Sequence, residues 1–102
     1  MIYVIATAEL KPGTRDAFLA EFRRNVPNVR AEKGCIDYGP NVDIQSGIKT
    51  QIPLRDTVVT IVEKWESLEA LQAHIVAPHM AAYRERVKDF VVRVSLQVLE
   101  PR

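Results

Sequence analysis

The side chains best suited to proton chemistry at neutral pH are two imidazoles, His74 and His79, whose ordinary pKa lies close to that pH. They fall among aromatic residues, with Trp65 before them, Tyr83 after them and Tyr38 well upstream. An imidazole beside an apolar pocket can take a proton from a phenol or a hydroquinone. His74 is the better candidate for that base, and Tyr38, Trp65, His79 and Tyr83 are candidates for shaping the pocket. Asp43 and Tyr38 flank Pro40 in an irregular stretch, where polar side chains face either a cavity or solvent. Each residue also has a plain structural reading. Either histidine fits a helix surface. Trp65 and Tyr83 fit a core or interface anchor better than a substrate platform.

Other chemistries find little support. No G-x-G-x-x-G or P-loop pattern is present to cradle a nucleotide cofactor, and no local signature of Ser-His-Asp or Cys-His catalysis occurs. His74 and His79 lie five residues apart, about 140° around an ideal helix, so they do not share a face as metal ligands would. Neither a cofactor nor a metal is expected. Cys35 is the single cysteine. It cannot form an intrachain disulfide, suits a reducing cytoplasm, and reads as inert packing.

The elements that must position these residues follow from periodicity. Residues 2–10 alternate as a strand, and Lys11, Pro12 and Gly13 turn the chain. Thr14 is placed to cap a helix carrying Phe18, Leu19, Phe22, Val26 and Val29, which Pro27 should kink and Gly34 should stop. Cys35 to Ile44 reads as an irregular strand with a bulge or an edge position at Gly39 and Pro40. Residues 45–56 have no period, and this long excursion, with Ile48, Ile52 and Leu54, is a candidate lid. Thr57 to Glu66 is a β-branched strand apolar on both faces and expected to be covered on both. Ser67 caps a second helix that Pro78 breaks or restarts, and residues 92–98 alternate as a last strand. The order β-α-β-β-α-β predicts an α+β fold of the ferredoxin-like kind, a four-stranded antiparallel sheet with two helices on one face. The other face then needs cover, and a second copy of the chain would supply it, hence a homodimer.

The totals agree with one small domain over residues 1–102. Of these, 47% are hydrophobic and 26% charged, with no low-complexity tract. Lys and Arg number 14 against 13 Asp and Glu, so a net charge of +1 offers no footprint for nucleic acid. The apolar start is cut off by Glu9 and Lys11, too short for a membrane span and without a basic leader, and is expected to be mature structure.

Three segments carry a family resemblance: Glu32 to Tyr38 (EKGCIDY), Val62 to His74 (VEKWESLEALQAH) and Ala77 to Tyr83 (APHMAAY). Together they resemble the antibiotic biosynthesis monooxygenase family. The excursion between Asp43 and Thr57 and the stretch from Lys88 to Val91 make the chain most similar to the bacterial quinol monooxygenase branch. The resemblance implies a dimeric α+β barrel of ferredoxin-like subunits that oxidises quinols or polycyclic phenols with molecular oxygen, without flavin, haem or metal. His74 would be the base, and the substrate would supply the electrons. Two departures narrow it. The aromatic-polyketide branch uses an Asn four residues before the strand Trp, where this chain has Ile61. The haem-degrading branch uses an Asn and an iron-binding His at places that fall at Thr7 and near Arg84 here. Two other readings stay open: a non-catalytic dimer that binds a small aromatic ligand, and an isomerase or lyase with Arg55 or Arg84 in its pocket.

Overall fold

A computed structural model describes all residues, 1–102. Four strands and three helices follow in the order β1 (Ile2–Leu10), α1 (Arg15–Arg30), β2 (Cys35–Asn41), β3 (Val58–Trp65), α2 (Leu68–Ile75), α3 (Pro78–Val87) and β4 (Val91–Leu99). The strands form one antiparallel sheet in the order β2-β3-β1-β4, the ferredoxin-like arrangement expected from the element order. The expected second helix is two. Pro78 takes the first position of α3 behind an extended Ala77, so the helical hydrogen-bond ladder starts anew there.

β1 sets the register of the whole sheet. Val4, Ala6, Ala8 and Leu10 are buried on the helix side, opposite Val59, Ile61 and Glu63 of β3 and Val94, Leu96 and Val98 of β4. α1 lays Phe18, Leu19, Phe22, Val26 and Val29 over this surface, and Met80, Tyr83 and Val87 of α3 complete one core. Pro27 sits inside α1 without ending it. Thr14 stands at the head of α1, but its hydroxyl donates back to the Lys11 carbonyl at 2.7 Å and does not cap the helix. Ser67 does cap α2, accepting from the Ala70 N–H at 3.1 Å.

Three expectations are met only in part. Gly39 and Pro40 do hold an edge position, since β2 is an edge strand, but the register irregularity falls at Ile36, between Cys35 and Asp37. The strand also stops at Asn41, short of Ile44. β3 is fully covered on its helix side, where Val59, Ile61, Glu63 and Trp65 are buried, but on the opposite face Val58 is buried while Val62 remains exposed.

Candidate active site

A cavity of about 510 Å³ opens between the helices and the β1-β3-β4 surface. Its wall is mostly apolar, from Val4, Ala6, Phe18, Phe22, Ile61, Leu71, Val87 and their neighbours. Five polar side chains interrupt that wall in a way chemistry could use: Tyr38, Glu63, His74, Tyr83 and Arg84, with Lys88 beyond them just past the end of α3. The volume falls in the range common for small-molecule sites, about 300–1,000 Å³.

His74 comes from the last turn of α2 and is buried. Its Nδ1 lies 2.7 Å from Oε2 of Glu32. A carboxylate only accepts, so Nδ1 carries the proton and Nε2 is left as the acceptor of the neutral ring. Burial lowers the pKa of His74, against the hydrogen bond and charge of Glu32, which raise it. The ring is thus held as a neutral base at pH 7. Glu32 reaches α2 because Gly34 lets the chain turn sharply: its φ is +86°, and a Cβ there would stand 2.6 Å from the Cβ of Ala70. Only glycine fits both demands.

The surroundings of His74 are aromatic. Trp65 is fully buried at the end of β3, with its ring centroid 4.7 Å from that of His74. Tyr38 meets the imidazole edge-on at 5.5 Å and stacks on Phe22 at 5.3 Å. Tyr83 packs edge-on against Phe22 at 5.7 Å. Burial pushes the hydroxyls of Tyr38 and Tyr83 well above their ordinary range, so both stay protonated.

Glu63 is the polar residue that sequence reasoning missed. It is 5% exposed, on the inward row of β3, and accepts the Trp65 indole N–H at 2.9 Å. Burial chiefly, and then the charge of Glu32, push its carboxyl up to about 7, against the Trp65 hydrogen bond. The available signal was its phase. Counting by twos along β3, Glu63 lies between Ile61 and Trp65, where an apolar residue would be expected. Glu32 gave no such signal, because it follows α1 in a turn.

Of the residues singled out in the sequence, the fold brings His74, Tyr38 and Tyr83 to the cavity wall. Trp65, His79 and Asp43 do not line it. Trp65 lies behind His74 in the core, as its structural reading held. His79 stands on the far side of Glu32, its Nε2 3.3 Å from the same Oε2 that His74 engages. Asn28 donates to the Asn25 Oδ1, which orients the Asn25 amide so that its N–H faces His79 Nδ1 at 3.1 Å. His79 Nε2 therefore carries the proton toward Glu32, but poorly aligned, and is a buried nitrogen without a hydrogen-bond partner. Asp43 forms a two-pronged pair with Arg55 at 2.9 Å, which holds its carboxyl at about 2. That pair ties the two ends of the excursion together. Residues 45–54 line a smaller, separate cavity of about 250 Å³ and take no part in the main one, so the expected lid does not lie over this chain's own pocket.

Burial and then the nearby Glu32 raise the Cys35 thiol, as expected of an unreactive cysteine. No group of three or more His, Cys, Asp and Glu is placed to hold a metal ion. No helix is long and apolar enough to cross a membrane.

Comparison with known proteins gives a consistent result. Residues 1–86 match the family described as antibiotic biosynthesis monooxygenase. Over 103 aligned positions the chain is 42% identical to the "Probable quinol monooxygenase YgiN" of Escherichia coli K12, covering 99% of this chain and 98% of that protein. Among solved structures, Rv0793 from Mycobacterium tuberculosis superposes with a TM-score of 0.79 at 27% identity, over 99% of this chain and 94% of that one. A conserved protein from Methanosarcina mazei Go1 has the same fold, with a TM-score of 0.83 at 20% identity, over 99% and 92%.

Proposed function

The chain belongs to the antibiotic biosynthesis monooxygenase family, and from that premise we propose that it is an oxidoreductase that oxidises a quinol or polycyclic phenol with molecular oxygen. The observation that carries this reading is His74: a buried, neutral imidazole with Nδ1 tied to Glu32, in the wall of an apolar cavity. Such a base takes a hydroxyl proton as the ring surrenders electrons to oxygen, and the apolar wall keeps water from the reacting atoms. The reducing power comes from the substrate, so the protein has to bind, deprotonate and exclude solvent. Tyr38 and Tyr83 supply flat faces and edges for an aromatic ligand.

The working unit in this reading is a homodimer of one-domain subunits. Val94, Leu96 and Val98 of β4 are 54%, 49% and 43% exposed, on the same side of the sheet as the buried row of β1. Val94 and Leu96 also line the cavity. The surface that calls for cover is thus this apolar β4 edge on the helix side and not the helix-free face, where β1 and β4 present Thr7, Glu9, Arg93, Ser95 and Gln97; a second copy is the simplest source. The half-buried single cysteine suits a reducing compartment such as the cytoplasm.

Oxygen uptake by the chelator-treated protein with a reduced naphthoquinol, corrected for spontaneous oxidation, tests the reading. Protein-dependent uptake that falls about 100-fold in His74→Gln is the expected result. Saturable quinone binding without uptake would replace it with the ligand-binding reading.

A further inference from the structure

Glu63 is the only carboxyl group in the wall of the main cavity, and a base at His74 leaves it without a task. A buried acid in an otherwise apolar row is costly to ionise unless something pairs with it. No lysine, arginine or histidine forms an ion pair with Glu63, and its one protein hydrogen bond is the Trp65 indole N–H on Oε1. Its Oε2 receives no protein donor. The titratable groups around it are Glu32, Cys35, Tyr38 and His74, with Arg84 and Lys88 farther along the cavity wall. A purely structural acceptor for an indole N–H does not require a carboxylate, because an amide serves equally.

Trp65 links this acid to the base. Its N–H holds Glu63 at 2.9 Å while its ring packs on His74 at 4.7 Å, so one fully buried indole sets both groups in the same wall. We propose that Glu63 is a second proton acceptor of the pocket, taking one hydroxyl proton of a dihydroxylated arene while His74 takes the other. This rests on the quinol reading above, because only a dihydroxylated arene has two hydroxyl protons to give up.

The chemistry balances. Converting a hydroquinone to a quinone breaks two O–H bonds and releases two electrons and two protons. Dioxygen takes both electrons, and the two protons pass through His74 and Glu63 to the reduced oxygen, which leaves as hydrogen peroxide. In the monooxygenase outcome one oxygen atom enters the ring and the other leaves as water, again consuming the released hydrogens. An acid held at about 7 is half ionised at neutral pH and is therefore able both to accept a proton and to pass it on.

Glu63→Gln keeps the acceptor for the Trp65 N–H and the side-chain volume but cannot take the proton, and Glu63→Asp keeps the acid. Oxygen uptake with a reduced naphthoquinol, measured from pH 5.5 to 9 for the three proteins, is the test. The Gln variant is expected to lose about 100-fold in kcat with little change in KM, to lose the rise in rate centred near pH 7, and to be partly rescued as Asp. The sole tryptophan provides a second readout that needs no turnover. Trp65 emission should titrate near pH 7 in the native protein and lose that step in Glu63→Gln. Native rate and pH profile in the Gln variant would overturn the role of Glu63 and leave the quinol reading standing. An emission titration unchanged by the substitution would do the same. Absence of protein-dependent uptake in the native chain would overturn the quinol reading, and this role with it.

Discussion

The two sides of the helix-facing sheet surface are built in opposite ways. Toward β3, the inward row Val59, Ile61, Glu63 and Trp65 is buried under helices; the Trp65 indole N–H donates to Glu63, and the indole ring packs against His74, which is itself tied to Glu32. Toward β4, the row Val94, Leu96 and Val98 is apolar and left half open. The first side is finished within one chain, whereas the second lacks a cover. In the proposed reaction the proton acceptors belong to the side that is closed within one chain, and the opening lies where the proposed second subunit would complete the wall.

Breaking the finished side should have the largest effect. Trp65→Ala removes a fully buried indole and the spacer between His74 and Glu63, and should cost about 3–5 kcal/mol in urea unfolding. Trp65→Phe should fold but release Glu63 from its only donor. Breaking the open side should act differently: Leu96→Asp should leave the subunit folded and shift its mass in light scattering from dimer to monomer, with a higher KM for quinol. A variant that stays dimeric would place the subunit contact elsewhere.

A third experiment sharpens the contrast through pH. The Glu63 carboxyl binds its proton more tightly folded than unfolded, so its contribution is fully present below about pH 4.5 and is lost as pH rises through about 7. The difference corresponds to at most roughly 3 kcal/mol. His74 works the other way, since its lowered pKa removes stability as pH falls below its ordinary value. Comparing native protein with Glu63→Gln between pH 4.5 and 8 isolates the acid: the variant should gain relative stability as pH rises. A constant difference would mean that Glu63 titrates at its ordinary value.

The smallest effect is expected at Asp43 and Arg55, which neither side uses. Arg55→Ala should speed amide exchange in residues 44–54 and leave quinol turnover unchanged. A changed turnover would bring the excursion back as a lid, acting across the subunit contact.

Much of this fold is legible in the chain. The alternation of residues 2–10 and 92–98, the β-branched run before Trp65 and the helical spacing of Phe18 to Val29 each name an element, because burial on one face imposes the period of that element. His74, Tyr38 and Tyr83 could be picked out as polar or aromatic groups near one another in a ferredoxin-like order. The same rule points to His79, Trp65 and Asp43, whose side chains turn away from the cavity, into the core, or into an ion pair.

Local sequence by itself determined the strands and helices, the restart at Pro78, the Ser67 cap and the single-sheet order, since each depends on neighbours a few residues away or on a short list of allowed connections. Only the tertiary structure decided which histidine meets the cavity, that Glu32 from the α1–β2 turn is its partner, and that Glu63 stands in the same wall, holding the indole N–H but no ion-pair partner. Those facts depend on contacts between residues as far apart as Glu32 and His74. A side chain's protonation is set by the burial and charge that such contacts create, and no local pattern encodes them.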